Sequence, residues 1–179
     1  MTDDTVDLWA LDEVHFQQYG SSCRMWVPPE TKDPVLRHFP GRRSVGYFGA
    51  VRLRDGAFHF RREREQFNAV TFHEFMKQIQ SVCSASGRRA IVIIDNAKYH
   101  HAKLHADWRA DHESRFALDF LPPYSPDLNP IERVWKLTRR NCLHNRYFHD
   151  LKDIEKTVEE QFDLWRDSND TLRRLCAIN

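Results

Sequence analysis

Three carboxylates in this sequence occupy positions from which they could act together on a phosphate group. Asp12 lies within the strand-like segment DLWALDEVHF, and Asp95 ends the apolar run that opens IVIIDNAKYH. Glu132 follows the proline-stiffened segment LPPYSPDLNP and falls in the first turn of the helix that IERVW begins. Carboxylate oxygens are the ligands that hard divalent cations prefer. The pattern therefore predicts a divalent-metal site and, with it, phosphoryl-transfer chemistry.

Each of these acids also has a purely structural explanation. Asp95 follows a strand and precedes a helix, so it could cap that helix, although Asn96 could do so equally well. Glu132 comes three residues after Asn129, which is the spacing of a capping box. Asp12 could lie on a solvated strand face, but its neighbours on that face are small or apolar. A carboxylate among such neighbours is costly to bury unless it is paired or binds a metal.

The predicted elements provide a way for the acids to meet. Periodicity and turn residues predict strands at residues 7–16, 23–27, 44–53, 57–62, 91–94 and 116–121, and helices at 69–83, 99–112, 130–141 and 151–166. This order predicts one α/β domain with a mixed sheet between helices. Sites in such sheets gather beyond the carboxyl ends of parallel strands. Asp12 would approach Asp95 if their strands were neighbours, and a packed helix would bring Glu132 to both.

Three carboxylates held together repel one another unless a cation joins them. Mg²⁺ or Mn²⁺ suits this role, because both prefer oxygen ligands and keep water positions open. Two such ions about 4 Å apart can activate a water or a 3′-hydroxyl and stabilise the leaving oxygen. Zinc is less suitable. His101 and His105 are four residues apart, but no glutamate directly follows His101, so the metalloprotease pattern is absent.

The composition predicts a folded cytoplasmic protein that does not associate with membranes. The chain has 179 residues, of which 41% are hydrophobic and 30% charged, which suits one domain with a substantial core. No apolar run approaches the roughly 20 residues that span a bilayer, and the acidic start does not resemble a signal peptide. The cysteines are far apart and form no C-x-x-C pair, which favours reduced thiols. They are Cys23, Cys83, Cys142 and Cys176.

The net charge of +1 argues neither for nor against a nucleic-acid partner, but the basic residues are clustered. Arginine dominates these clusters, and a planar guanidinium suits bidentate phosphate contacts. The alternative is that each cluster is a solvated face balanced by nearby acids. One cluster differs from the others because it shares the predicted helix with Glu132. Its members are Arg133, Lys136, Arg139 and Arg140.

With these residues in view, the chain resembles the catalytic domain of DDE transposases, specifically the mariner superfamily and its bacterial insertion-sequence members. ALDEVHF, around Asp12, is similar to the first block of that family. IIDNAKYHHAK, with Asp95, is similar to the second, and PPYSPDLNPIERVW, with Glu132, to the third. The third block is highly specific, and the resemblance covers nearly the whole chain.

The resemblance implies an RNase H-like fold, in which a mixed five-stranded sheet is flanked by helices, and metal-dependent cleavage and strand transfer at transposon ends. Asp12, Asp95 and Glu132 would hold two Mg²⁺ or Mn²⁺ ions, with Asn96 and His100 as auxiliary residues. We expect His100 to contact phosphate or position a water, or else to serve a surface or capping role. The basic cluster beside Glu132 is predicted to contact DNA phosphates. The alternatives are an RNase H-like nuclease without strand transfer and an inactive remnant that binds DNA or regulates a full-length transposase.

Full-length relatives carry an N-terminal helix-turn-helix region, whereas the first catalytic strand here begins within about ten residues of Met1. We therefore expect a single catalytic domain over residues 1–179, with the helix-turn-helix domain absent or encoded in a separate partner frame. The expected partners are transposon-end and target DNA and a second copy of the chain. The expected location is the bacterial cytoplasm, in association with the nucleoid.

Overall fold

The computed structural model describes residues 4–31, 34–35, 37 and 40–178, and a mixed β-sheet organises them. Its strands are β1 (Val6–Gln17), β2 (Ser44–Arg52), β3 (Phe58–Glu63), β4 (Arg89–Ile94) and β5 (Phe116–Phe120). Their order across the sheet is β3-β2-β1-β4-β5. β2 runs antiparallel to β1 and β3, whereas β4 runs parallel to β1 and β5. The described residues thus confirm the predicted five-stranded mixed sheet, with β1 at its centre.

Helices cover both faces of this sheet. They are α1 (Ala69–Ser86), α2 (Ala106–His112), α3 (Ile131–Thr138), α4 (Leu151–Asp163) and α5 (Asp170–Leu175). Because strand side chains alternate between faces, Ala10 and Val14 of β1 pack with α3 and α4, whereas Trp9 and Leu11 pack against α1. Asp12 lies between Ala10 and Val14 on the same face of β1. None of the described helices is both long and apolar enough to cross a membrane.

Helix α1 shows how local sequence sets the element boundaries. The Asn68 side chain accepts hydrogen bonds from the amides of Val70 and Thr71, and the Thr71 hydroxyl accepts one from the Asn68 amide. These bonds satisfy donors that the first helical turn would otherwise leave unpaired. The helix ends at Gly87, whose φ of 70° lies in the left-handed region that glycine tolerates best. The helix predicted at 69–83 is therefore confirmed, and it continues to Ser86.

The strand predicted at residues 23–27 is wrong. These residues are described, and they form no strand but lie in an irregular segment between β1 and β2. β1 already pairs with β2 on one side and with β4 on the other, so the sheet offers this segment no position beside it. An isolated bridge joins Ser21 to His144 just before the segment, and the Trp26 side chain within it is fully exposed.

Two predicted helices are only partly α-helical. Residues 99–112 form two short 3₁₀ turns, Lys98–His101 and Lys103–His105, followed by α2. His100 and His105 are both fully buried, and a continuous α-helix would turn residues five apart by about 140° around its axis, so it could not bury both. The helix predicted at 130–141 is α3 followed by a π-helical turn, Arg139–Leu143. The helix predicted at 151–166 ends at residue 163, and α5 was not predicted.

Candidate active site

The two aspartates come from neighbouring parallel segments, because Asp12 lies on β1 and Asp95 directly follows β4. The parallel pairing of these strands is in register up to Ala10 and Ile93. Asp12 and Asp95 are each two residues further along, so they stand at the same level, with about 4.8 Å between neighbouring strand backbones. β1 continues past this level, whereas β4 ends just before Asp95. The end of β4 thus lies beside β1 near Asp12, and sites in α/β sheets gather beyond the carboxyl ends of parallel strands.

Asp12 faces the layer that contains α3 and is partly buried there. Its Oδ2 accepts a hydrogen bond from Nε1 of Trp135, at 3.1 Å. The Trp135 ring reaches this position because it packs directly on Gly49, the residue that pairs with Asp12 on β2. Burial raises the pKa of Asp12 from 3.8 to about 7, and the negative charges of Glu13 and Glu132 add to the rise. The Asp12 carboxylate is therefore short of positive partners.

Glu132 lies in the first turn of α3, and its negative charge contributes to the raised pKa of Asp12. The capping-box explanation for Glu132 is wrong within the described part of the chain. Asn129 uses its amide group to donate to the Leu11 carbonyl (3.0 Å), and its Oδ1 accepts a long bond from the Ile131 amide (3.4 Å). The Glu132 carboxylate accepts no hydrogen bond from any described residue, so it does not cap the start of α3.

Asp95 is the exposed member of the three acids, with 51% of its side chain accessible. Its Oδ1 accepts a hydrogen bond from the Ala97 amide at 3.0 Å and lies 2.9 Å from Nδ1 of His100. Its Oδ2 has no partner among the described residues. Asp95 therefore stabilises the turn after β4 with one of its two oxygens. It does not cap the following 3₁₀ turn, whose N-cap residue is Ala97 and which has no side-chain cap, so the capping explanation for Asp95 is wrong.

Sequence reasoning missed Glu13, which contacts the buried side of the site. Nε2 of His100 lies 2.9 Å from Oε1 of Glu13. Burial by itself would lower the pKa of His100, but the hydrogen bond and charge of Glu13, together with Asp95, raise it. Because His100 is fully buried, it does not reach the surface to contact phosphate, nor does it fill the alternative surface role. The sequence feature that could have identified Glu13 is strand alternation. It places the Glu13 side chain on the face of β1 opposite to Asp12, towards α1.

Asn96 connects the ends of two parallel strands. Its Nδ2 donates to the carbonyl oxygen of Leu121, just after β5, and its Oδ1 lies 3.1 Å from Nε2 of His101. These contacts hold the turn after β4 against the segment after β5. Between the two strand ends lies a cleft of about 500 Å³ that is bordered by Asp95 and Tyr124. The auxiliary role predicted for Asn96 thus corresponds to a structural contact beside Asp95.

The four basic residues predicted to contact DNA differ in their surroundings. Lys136 and Arg140 are exposed and follow Glu132 at four-residue intervals, so they share its side of the helix. Arg139 lies over an aromatic ring of β1, with 5.7 Å between its guanidinium carbon and the ring centroid. Arg133 donates to two carbonyl oxygens at the end of α5, at 2.9 and 3.1 Å. Lys136 and Arg140 are therefore best placed to meet a ligand at Glu132.

The chemistry of the three acids fits a hard cation, although the described residues contain no group of three or more His, Cys, Asp or Glu side chains gathered closely enough to hold a metal as they stand. Asp12 and Glu132 repel each other, and their repulsion contributes to the raised pKa of Asp12. A bound cation would relieve this repulsion. Asp95 offers an oxygen that no described residue occupies, and all three donors are the oxygen type that Mg²⁺ and Mn²⁺ prefer.

Comparison with known proteins places the chain in a family. A family model described as DDE superfamily endonuclease matches residues 7–155, a span that contains Asp12, Asp95 and Glu132. The chain belongs to this family. A curated relative, the uncharacterized protein y4pE/y4sA of Sinorhizobium fredii (strain NBRC 101917 / NGR234), is 41% identical over 68 residues, which are 38% of this chain and 47% of the relative.

Solved structures of the mariner transposase Mos1 share the fold of this chain. The Mos1 Strand Transfer Complex matches with a TM-score of 0.67 and the Mos1 mariner paired end complex with Mn with 0.69; each covers 94% of this chain at 17% identity. The paired end complex with Mg matches with 0.62 over 95% of this chain, also at 17% identity. These matches confirm the predicted RNase H-like fold. The chain spans 50%, 51% and 53% of the respective Mos1 chains, about half their length.

The raised pKa of Asp12 predicts how stability depends on pH without divalent cations. The folded chain keeps the Asp12 proton up to about pH 7, whereas the unfolded chain releases it near 3.8. Between these values unfolding releases a proton, so Asp12 should make the folded state progressively less stable as the pH rises from about 4 to about 7. Thermal unfolding measured in EDTA from pH 4 to pH 8 tests this expectation.

In Asp12→Asn this source of pH dependence should disappear, and the variant should melt at a higher temperature than the parent at pH 8 in EDTA. Asp119→Asn is the control, because Asp119 is exposed on β5. Melting curves of Asp12→Asn that shift with pH in parallel with those of the parent would contradict the assignment.

Proposed function

We propose that this chain is the catalytic domain of a transposase that cleaves transposon-end DNA and joins it to target DNA, using two Mg²⁺ or Mn²⁺ ions held by Asp12, Asp95 and Glu132. The observation that carries the proposal is that the elements bearing these acids meet in the fold. Asp12 lies on β1, Asp95 directly follows the neighbouring parallel strand β4, and the charge of Glu132 on α3 acts on Asp12. Membership of the DDE endonuclease family supports the same reaction class.

Each residue of the proposed site would have a separate role in holding the metal ions. When bound, the ions would activate a water or a 3′-hydroxyl and stabilise the leaving oxygen. Trp135 orients the Asp12 carboxylate through its indole N–H. Asp95 keeps one oxygen in the turn after β4 and leaves the other for the site. Glu132, at the start of α3, does not cap its helix and would provide the third carboxylate ligand.

DNA is the partner that the surroundings of the site support. Lys136 and Arg140 extend from Glu132 along an exposed helix side, where they would contact backbone phosphates, with Arg139 and Arg133 beside them. The Mos1 complexes with similar folds are a strand transfer complex and paired end complexes with Mn and with Mg, which supports the same substrates and metals here. A second copy of this chain and a separate helix-turn-helix polypeptide are further proposed partners, and a DNA substrate implies action at the nucleoid.

The proposal is tested by incubating the chain with a plasmid that carries the genomic DNA on either side of its coding sequence. Nicked and linear products should form with Mg²⁺ or Mn²⁺ and should be absent in EDTA. Oligonucleotides with a pre-cut 3′-hydroxyl end should then be joined to a second DNA. Cleavage without joining would identify a nuclease rather than a transposase, and DNA binding without metal-dependent cleavage would identify a non-catalytic binder.

Phosphate contacts by Lys136 and Arg140 predict a specific salt dependence. Each phosphate contact releases about one counterion, so Lys136→Ala with Arg140→Ala should reduce the slope of log K against log salt by roughly 2. Fluorescence anisotropy of labelled DNA between roughly 50 and 300 mM KCl, the range in which such slopes are resolved, measures it. Lys156→Ala is the control, because Lys156 is exposed on α4. An unchanged slope in the double variant would remove these residues from the interface.

A further inference from the structure

We propose that Glu13 and His100 are positioning residues that hold Asp95 in a single orientation, so that its Oδ2 alone is presented to the site. This role deepens the proposed function and depends on it, because it assigns a purpose to the buried side of the same site. It also explains a histidine that is wholly enclosed yet faces two carboxylates.

The geometry forms a chain of contacts from one strand to the next. Glu13 follows Asp12 on β1 but points to the opposite face, towards α1. Its Oε1 lies 2.9 Å from Nε2 of His100. The other ring nitrogen, Nδ1, lies 2.9 Å from Oδ1 of Asp95 and 3.2 Å from the Asp95 backbone oxygen. His100 therefore uses both of its nitrogens between the two carboxylates, and one imidazole ring spans from β1 to the end of β4.

The surroundings leave this ring little freedom to rotate. His100 is fully buried, and its ring centroid lies 4.4 Å from that of Phe72 on α1 and 4.4 Å from that of Tyr99. Burial and then the charge of Glu13 raise the pKa of the Tyr99 hydroxyl, so Glu13 also acts on this second neighbour of the His100 ring. A ring that is packed on two sides and bonded at both nitrogens fixes the atoms at its ends.

The consequence for Asp95 is that its two oxygens have different roles. Oδ1 is engaged by His100 and by the Ala97 amide, whereas Oδ2 is free of described partners. A carboxylate held in this way can act as a ligand through one defined oxygen. Groups that orient a ligand in this manner typically change metal affinity by about 10–100-fold when they are removed.

The test compares Glu13→Leu with Glu13→Gln in the full chain and uses Mn²⁺ alone as the probe. Leucine removes the acceptor and suits the apolar α1 face, whereas glutamine retains an oxygen that can accept from His100. The dissociation constant for Mn²⁺, measured from the electron paramagnetic resonance signal of the free ion, should rise by about 10–100-fold in Glu13→Leu. It should stay within about threefold of the parent in Glu13→Gln, because the acceptor is retained.

His105 provides a matched control for the loss of a buried ring. It is also fully buried and packs on Phe72, with 5.5 Å between centroids, but its hydrogen bond goes to the Tyr99 carbonyl rather than to Asp95. His100→Gln and His105→Gln should lower the melting temperature by similar amounts. Only His100→Gln should weaken Mn²⁺ binding. Equal Mn²⁺ affinity in these two variants would show that His100 is a packing residue and would overturn the proposal.

The outcomes separate this role from the proposed function. If the parent binds Mn²⁺ and cleaves DNA, an unchanged dissociation constant in Glu13→Leu overturns the positioning role and leaves the transposase proposal intact. If the parent neither binds Mn²⁺ nor cleaves DNA, the proposed function fails, and the positioning role fails with it. A weaker Mn²⁺ site in Glu13→Leu that recovers in Glu13→Gln supports both.

Discussion

Replacing Asp95 with asparagine should reduce metal-dependent DNA cleavage by at least about 10³-fold, because it removes a charge worth several kcal/mol to a metal-assisted reaction. The fold should survive the change. In Asp95→Asn the side-chain amide oxygen can still accept from the Ala97 amide, the contact that Oδ1 of Asp95 makes in the parent. Asp95 is also half exposed, so the substitution buries no new polar group.

The measurement is the initial rate of plasmid nicking in Mn²⁺ and in Mg²⁺, alongside the melting temperature. Asp119→Asn is the matched control, since Asp119 is an exposed acid on β5, the strand next to β4, and pairs with Ile93. It should keep the rate of the parent. Unaltered nicking by Asp95→Asn would remove Asp95 from the mechanism, and the proposed donor set with it.

A methyl group at Gly49 should disrupt both stability and activity. A Cβ atom there would lie 2.2 Å from Cη2 of Trp135 and 2.9 Å from Cζ of Phe58. Both rings are fully buried, so neither can swing out into solvent. Overpacking of this kind typically costs about 1–3 kcal/mol. The displaced indole would also lose its hydrogen bond to Asp12, so Gly49→Ala should cleave DNA more slowly even at temperatures where it stays folded.

Urea unfolding of Gly49→Ala, Trp135→Phe and the double variant tests the cause of this loss. The smaller ring in Trp135→Phe should relieve the clash, so the double variant should be more stable than the sum of the single changes implies. Gly46→Ala is the control on the same strand, because its nearest contact is the tip of the partly buried Phe67 ring, at 2.9 Å. Additive losses in the double variant would show that Gly49 does not act through Trp135.

The sequence supplied the components of the candidate site because those components are local. A few consecutive residues are enough to recognise the apolar run that ends in Asp95. The same is true of the alternating strand that contains Asp12. The sequence left open whether the strands of Asp12 and Asp95 are neighbours, and the strand order of the structure shows that β1 and β4 are. Local patterns also predicted helix α1 and the position of Glu132 at the start of α3.

The remaining features depend on partners distant in sequence. Asn129 has the spacing of a helix cap, but its amide group reaches the Leu11 carbonyl on β1 instead. Glu13 became significant only when folding brought it to His100, 87 residues away. Residues 23–27 have the composition of a strand, but β1 was already paired on both edges. In each case, tertiary contact outweighed local preference.

The two aspartates are secured from opposite sides of the sheet. Trp135 holds Asp12 from the layer of α3, and His100 holds Asp95 from the layer of α1. A shift of either layer would tilt one acid and leave the other in place, so both halves of the hydrophobic interior must be correctly assembled before the reactive centre can form. Catalytic activity would then appear only in molecules in which both layers have finished folding.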